Sequence, residues 1–222
     1  MFKKAIAVSA VLVAMSATSA MAQSKAQVSI FGGYTLSDGV SGQSIKAGDG
    51  NTYNAVDVKD SVNWGLSFGF NATPNVEVGF MFGQQMSTMT LTGTATRDVG
   101  DFKVNSYFPY VAYNMGDEDA KTRPYVLLGI GATNYGSVNY TKTGGAAAST
   151  GSNTQFAGTI GAGVRVFPSP KVGVQFGIQW TPTYIKSDPG GMWCDPWFGC
   201  YVYGDPQYSN QFQFNGGVVF RF

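Results

Sequence analysis

The chain has 222 residues, a formal net charge of +1 and 12% charged residues. That charged fraction is about half of the roughly 25% that is usual in soluble domains. No basic patch or stripe of the kind that binds nucleic acid is present. The chain contains no histidine, which excludes Ser-His-Asp catalysis and other histidine-assisted hydrolysis. It also lacks a His/Cys cluster with zinc spacing, so we expect neither a metal nor a cofactor.

The N-terminus has the three parts of a secretory signal peptide. Lys3 and Lys4 precede an apolar run over residues 5–15, and Ala20-Met21-Ala22 forms a small-x-small cleavage site. The run is shorter than the ~20 residues of a membrane-spanning helix. A first helix of the fold is the alternative, and the cleavage pattern argues against it. We therefore predict a signal peptide over 1–22 and a single mature domain over 23–222.

Strict alternation is the main structural signal of the mature chain. In residues 171–180 every second residue is bulky and apolar, and the residues between them are Lys, Gly and Gln. Residues 61–71 repeat this pattern with Gly, Ser and Asn on the polar face. Side chains of a strand alternate between its two faces. Small, mostly uncharged polar residues suit a narrow barrel interior, and bulky apolar residues suit a face toward lipid.

Eight candidate strands follow one another along the chain. They cover about 26–36, 61–71, a segment from 76, about 102–115, 124 to about 135, 154–167, 171–181 and 207–222. The alternation of the fourth strand is irregular over 107–113, and its faces are not assigned there. The predicted connections are short at 71–75, 116–123 and 168–170. They are long at 37–60, about 87–97, 137–153 and 182–206.

These features predict an all-β fold, an eight-stranded antiparallel transmembrane β-barrel. An exported chain without a helical span can cross a membrane only as a closed barrel, because closure satisfies every backbone group in lipid. Alternating short turns and long loops is the outer-membrane arrangement, with the short turns in the periplasm. A soluble lipocalin-like barrel is the alternative. It would place the bulky residues inside and leave an exterior with unusually little charge.

The C-terminus gives the family resemblance. Asn215, Gly217, Phe220 and Phe222 occupy the slots of the C-terminal recognition signal of bacterial outer-membrane barrels. The segment 124–131, Pro-Tyr-Val-Leu-Leu-Gly-Ile-Gly, resembles the fifth strand of small eight-stranded barrels of the OmpA, OmpX and opacity-protein type. The resemblance implies a Gram-negative outer-membrane location among outer-membrane lipid and lipopolysaccharide. It also implies that the barrel-assembly machinery reads the last strand.

Four charged residues fall on the polar faces near the predicted periplasmic end. Glu77 opens the third strand, Arg165 nears the end of the sixth, Lys171 opens the seventh and Arg221 nears the end of the eighth. Unpaired charges in a narrow interior are costly, so we expect Glu77 to pair with Arg165 or Arg221. One interpretation is an internal plug. The other is a gate whose pairs exchange to open a narrow pore.

The last long loop carries the two cysteines of the chain, Cys194 and Cys200, which we expect to form a disulfide after export. Aromatic residues surround them. If this loop binds a ligand or receptor, Trp193, Trp197 and Tyr201 are the first candidates, because aromatic residues dominate binding hot spots. The alternative interpretation is that the aromatic cluster only packs the loop and joins the outer aromatic girdle.

Two function classes follow from the sequence. The resemblance implies a non-enzymatic surface protein that supports envelope integrity and presents loops for adhesion or host contact. The alternative is a narrow conduit for ions or small hydrophobic molecules, although an eight-stranded interior is just wide enough for side chains to fill it. A lipid-modifying enzyme ranks third, because it would have to work without a histidine.

Overall fold

The computed structural model describes residues 26–46, 51–141, 147–149, 151–185, 193–195, 199–201 and 207–222. Fourteen strands lie in these residues: β1 Ala26–Ser37, β2 Val40–Lys46, β3 Thr52–Val58, β4 Ser61–Asn71, β5 Val76–Gly93, β6 Thr96–Asn114, β7 Thr122–Tyr135, β8 Asn139–Thr141, β9 Ala147–Ser149, β10 Asn153–Val166, β11 Val172–Ile185, β12 Trp193–Asp195, β13 Gly199–Tyr201 and β14 Gln207–Arg221. Over the same residues no helix has the length and apolarity needed to cross a bilayer.

Eight of the strands close into an antiparallel ring. The order around the ring is β1, β4, β5, β6, β7, β10, β11 and β14, and β14 pairs back onto β1. The register of this closing pair runs without a break from Gln27 opposite Arg221 to Ser37 opposite Gln211. The predicted eight-stranded antiparallel barrel is therefore confirmed.

The two ends of the barrel differ in their connections. Three short turns, at 72–75, 115–121 and 167–171, lie at one end together with both ends of the described chain, and we call this the turn end. Asn75 ties two of these turns together, because its Nδ2 donates to the carbonyl oxygens of Asn114 (2.7 Å) and Gly116 (2.9 Å). Gly116 has φ of +84°, a backbone conformation that favours glycine. The opposite end is called the loop end.

The loop end contains more strand than the sequence predicts. The predicted loop at about 87–97 is wrong, because β5 and β6 continue as a paired hairpin with only 94–95 between them. The predicted loop 37–60 contains the β2–β3 hairpin, and β3 pairs with the far end of β5. Short hairpins β8–β9 and β12–β13 lie in the other two long connections.

The outer surface of the ring is apolar. Its exposed side chains include Ile130 (68% exposed), Val62, Leu128 and Phe176. This orientation matches the prediction that bulky residues face outward and glycines and amides face inward. One polar row crosses this surface: five outward-facing residues lie directly opposite one another on successive strands and are joined in part by hydrogen bonds. We call it the polar ladder, and its members are Trp64, Gln84, Asn105, Asn134 and Thr154.

The interior is filled by layers of side chains. An apolar layer in the middle of the barrel contains Phe31, Met81, Phe108, Tyr110, Ala112, Tyr125, Leu127 and Ala157. Toward the loop end, amides and hydroxyls bond across the interior, for example Gln211 Nε2 to Gln85 Oε1 at 2.7 Å. A second apolar group, the mouth cluster, closes the loop end. It consists of Met89, Phe102, Val104, Tyr135 and Val138, against which Val56, Val58, Val99 and Ile185 pack.

Candidate functional site at the turn end of the barrel interior

Glu77 is the acidic centre of the turn end. It is the second residue of β5, and the alternation of that strand turns its side chain into the barrel, where it is 1% exposed. Tyr110 Oη donates to Oε1 at 2.6 Å, and Gln27 Nε2 donates to Oε2 at 2.7 Å. Asn114 Nδ2 donates a longer bond of 3.3 Å to Oε2. Both carboxylate oxygens therefore have neutral donors in addition to a cation.

Arg165 is that cation, and it reaches Glu77 from the other side of the ring. Its Nη1 lies 2.5 Å from Glu77 Oε2, and its Nη2 lies 3.5 Å from Oε1. Nη1 also donates to Asn114 Oδ1 at 3.0 Å, and the guanidinium lies over the Tyr125 ring at 4.5 Å from its centroid. Both partners of this ion pair are removed from water, so the extra hydrogen bonds are needed to offset desolvation.

Two further arginines lie in the same region. Arg123 is fully buried, and its Nη2 donates across the barrel end to the Pro74 carbonyl oxygen at 2.6 Å. Arg221 is 9% exposed, and its guanidinium carbon lies 3.3 Å from the centroid of Phe167. Its Nη1 makes a long bond of 3.4 Å to the Glu118 carbonyl oxygen. We refer to Gln27, Glu77, Tyr110, Asn114, Arg123, Arg165 and Arg221 as the floor cluster.

Glycines make room for the floor cluster. A Cβ at Gly69 would lie 2.4 Å from Glu77 Oε1, and a Cβ at Gly79 would lie 2.7 Å from the Tyr110 ring. A Cβ at Gly163 would lie 2.7 Å from the Tyr125 hydroxyl oxygen. The glycine-rich walls of the barrel thus accommodate the large side chains that project from β5, β6 and β7.

Two small cavities lie among the described residues of the barrel interior. A cavity of about 30 Å³ lies beside Arg165 and Tyr125 and is also lined by Gln175 and Asn215. A second, of about 10 Å³, lies beside Gln85 and Gln211 toward the loop end. A buried water needs roughly 10–15 Å³, so the larger cavity has room for about two waters and the smaller for about one. Neither is a channel through the barrel.

Similarity to known proteins identifies the family. The family model described as outer membrane protein beta-barrel domain matches residues 7–222. The chain belongs to this outer-membrane β-barrel family. Its location is the Gram-negative outer membrane, and its apolar belt contacts membrane lipid. Because short turns of outer-membrane barrels are periplasmic, the turn end with the floor cluster faces the periplasm. No curated protein is similar enough in sequence to match the chain.

Solved structures of outer-membrane barrels share the fold at low sequence identity. The outer-membrane protein OprG of Pseudomonas aeruginosa has a TM-score of 0.55 at 17% identity, covering 87% of this chain and 95% of that one. AlkL, solved in lipid bilayers, gives 0.53 at 15% identity, with coverages of 89% and 90%. Neisserial surface protein A gives 0.51 at 11% identity, with coverages of 90% and 97%. At these identities, the similarities show that the chain shares the barrel fold of these proteins.

Three of the four charges predicted for the barrel interior lie there. Glu77 pairs with Arg165, one of its two predicted partners, and Arg221 is also inside. The prediction for Lys171 is wrong, because its side chain is exposed. Lys171 lies in the turn before β11, where its carbonyl oxygen accepts from Arg221 N at 2.8 Å. Lys171 therefore lies at the rim of the barrel, where its side chain is exposed.

The last long loop is described only in part. Trp193 lies opposite Tyr201 in the β12–β13 pair, and Cys194 lies opposite Cys200. Trp197 lies outside the described residues. The disulfide between the two cysteines and the binding role of the aromatic residues stay predictions.

The C-terminal signal residues lie on β14. Phe220 and Phe222 are exposed on the outer surface, while Asn215 and Gly217 belong to the inward-facing set of that strand. Their role in assembly stays a prediction.

Arg123, Tyr110 and Asn114 are not among the site residues that the sequence predicts. Arg123 was included in a predicted turn, whereas β7 begins at Thr122. Extending the alternation of that strand backward from Tyr125 by one step would have placed Arg123 in the interior. Tyr110 and Asn114 lie in the strand whose alternation is irregular, because its inward face also carries Phe102, Val104 and Phe108.

Proposed function

We propose that the protein is a non-enzymatic outer-membrane barrel that supports envelope integrity and uses its loop end for adhesion or host contact. The observation that carries the proposal is the packed interior. The floor cluster fills the periplasmic end, the mouth cluster fills the loop end, and the two described cavities between them have room for only about three waters together. A barrel filled in this way serves as a rigid anchor for what it displays outside.

The loop end offers the surface for contact. The β5–β6 hairpin extends well past the polar ladder, and β3 broadens it into a three-stranded sheet that β2 continues. The aromatic residues proposed for binding, Trp193, Trp197 and Tyr201, belong to the connection between β11 and β14. Aromatic residues of this kind supply large contact area at low entropic cost.

Deletion of residues 190–202 tests this role. We expect the variant to insert and fold, measured as heat-modifiable migration on a gel, and to lose adhesion of expressing cells to host cells or matrix. The matched control is Tyr208→Ala, which removes an exposed aromatic residue of the loop end outside the deleted segment and keeps adhesion. Full adhesion by a folded deletion variant contradicts the proposed role of this loop.

A narrow conduit is the second candidate function, and the cavity beside Arg165 favours it. Exchange of the Glu77–Arg165 pair would join this cavity to the periplasmic end. Planar-bilayer recording on refolded protein separates the two functions. The absence of conductance steps supports the anchored surface protein. Steady conductance steps that change in Glu77→Gln or Arg165→Gln support the conduit.

Two partners belong to the same proposal. Lipopolysaccharide would contact the outer surface near the polar ladder, and the barrel-assembly machinery would read the last strand. Phe222→Ala, which removes a side chain that is 75% exposed, should slow assembly into the membrane without changing the stability of protein refolded in vitro. Equal assembly rates in cells for this variant and the native chain contradict the assembly role.

A further inference from the structure

We propose that the floor cluster binds an oxyanion of the phosphate class between Arg123, Arg165 and Arg221. The site would lie at the periplasmic end of the barrel interior, and the bound group would complete a cluster that the protein leaves deficient in negative charge.

The first observation is the charge of the buried groups. Three arginine residues are at most 9% exposed, and one buried carboxylate, Glu77, accompanies them. Glu77 already accepts from Tyr110, Gln27, Asn114 and Arg165. Its lone pairs are therefore committed, and it does not contact the other two arginines. A buried charge without a partner is costly, so the cluster favours an additional anion.

The second observation is a set of unpaired donors. Within the described residues, four guanidinium nitrogens are buried and have no hydrogen-bond partner, namely Arg123 Nε, Arg123 Nη1, Arg165 Nε and Arg221 Nε. Buried donors in native proteins are normally satisfied by protein, water or a bound group. Asp117 and Glu118 of the β6–β7 turn attract Arg123 electrostatically, and Glu118 also attracts Arg221, but neither carboxylate accepts a hydrogen bond from these four nitrogens.

The third observation is that the backbone brings the three arginines together. Arg165 on β10 lies directly opposite Arg123 on β7. Phe167 lies two residues after Arg165 and therefore on the same side of the wall. The guanidinium of Arg221 lies over the Phe167 ring. Like charges placed opposite each other destabilise a sheet. An anion between them converts this repulsion into attraction.

The donor set favours an oxyanion over a halide. Guanidinium groups have planar N–H donors that match the oxygen spacing of phosphate, and several such groups commonly converge on one phosphate. Two sources have this chemistry at the periplasmic side of the outer membrane: free phosphate and the phosphate of a phospholipid headgroup. Both reach the turn end of the barrel from the periplasm.

The experiment uses the arginines themselves as reporters. The chain has four arginines, so mature protein labelled with ¹⁵N-arginine gives four Nε–Hε signals. Arg97 lies in β6 near the loop end and serves as the internal control. Inorganic phosphate is titrated into protein refolded in a neutral detergent. In a second arm, phosphatidylglycerol is titrated into protein in maltoside micelles, which contain neither free phosphate nor any other phospholipid.

Saturable shifts of the Arg123, Arg165 and Arg221 signals, without a shift of Arg97, are expected in at least one arm. Saturation with inorganic phosphate assigns a free anion, and saturation with phosphatidylglycerol alone assigns a headgroup. Arg123→Gln should weaken the apparent affinity by about tenfold or more, because it removes two charge-assisted donors. Lys121→Gln, an exposed basic residue at the same end, should leave it unchanged.

The absence of saturable shifts in both arms overturns the proposal, as do shifts of equal size at Arg97. If Arg123→Gln does not refold, as judged by heat-modifiable migration, Arg221→Gln takes its place, and the titration of the native sequence still decides.

Discussion

At the turn end the barrel is closed by buried charges that depend on particular partners, whereas at the loop end it is closed by apolar side chains that need only be the right size. Glu77 meets a cation and three neutral donors with defined directions. Phe102 and its neighbours in the mouth cluster make non-directional contacts. Loss of one atom of the floor cluster therefore leaves an unsatisfied charge, while loss of one atom in the mouth cluster leaves a small void.

Removal of the charge of Glu77 should have the largest effect. Glu77→Gln leaves Arg165 buried without an anion and should lower the free energy of unfolding by about 3–5 kcal/mol. Urea unfolding in lipid vesicles, followed by tryptophan fluorescence, measures the change. Glu77→Gln combined with Arg165→Met should recover most of the loss, because no charge is then stranded. Lys171→Gln is the matched surface control, with a change within about 0.5 kcal/mol.

Truncation at the mouth should cost less and should act differently. Phe102→Ala removes a ring that is 5% exposed and should cost about 3 kcal/mol, from lost burial and the void that remains. Phe102→Leu should recover most of that loss because it restores volume without a special geometry. The same denaturation assay applies. A failure of leucine to recover stability would contradict the view that this end tolerates any side chain of suitable size.

The polar layer between the two ends gives an intermediate case. Gln85→Leu leaves Gln211 Nε2 without its acceptor at 2.7 Å, and the loss of stability should be about 1–3 kcal/mol. Gln85→Glu keeps an acceptor but adds a buried charge, and it should cost more than the leucine variant. If the leucine variant is as stable as the native chain, this hydrogen bond contributes nothing net.

The smallest effect is expected outside the bilayer, at the Lys59–Asp98 pair. The hydrogen bond from Lys59 Nζ to Asp98 Oδ2, together with one from Thr90, lowers the pKa of Asp98 below its ordinary value of 3.8. A lowered folded-state pKa stabilises the fold above the ordinary value, and this contribution is lost as the pH falls through the lowered pKa. Both groups are exposed, so Asp98→Asn should leave stability at pH 7 within experimental error. A carboxyl NMR titration should find the pKa below 3.8, and a pKa at or above that value contradicts the assignment.

The strands of the barrel wall could be predicted from the sequence because the side chains on their outer face are uniformly apolar. From Val62 to Phe70 and from Val172 to Trp180, lipid imposes one requirement on every second residue, and a period of two reports it directly. The inner face follows no such rule. Phe108 and Tyr110 lie inside beside glycines of the neighbouring strands β5 and β7, and which glycine lies beside which ring depends on the register between the strands.

The same difference explains the errors in the candidate site. The pairing of Glu77 with Arg165 follows from the cost of an isolated charge, so charge and strand position were enough to predict it. Lys171 and Arg123 were misplaced because each lies within one residue of the end of a strand, where the alternation no longer determines direction. The extension of β5 to Gly93 could not be predicted from the sequence, because the segments that pair with it, β3 and the start of β6, lie in predicted loops.

The polar ladder has a consequence for what can reach this protein from outside. It crosses five neighbouring strands of the outer surface, and β5 continues from Gln84 to Gly93 beyond it. At about 3.3 Å per residue, this is roughly 30 Å of strand. Because β3 and β6 flank that ribbon on both sides, it stands as a stiff sheet rather than a collapsed loop. Antibodies, phages or proteases that are too bulky to approach the lipid surface would therefore contact this sheet first.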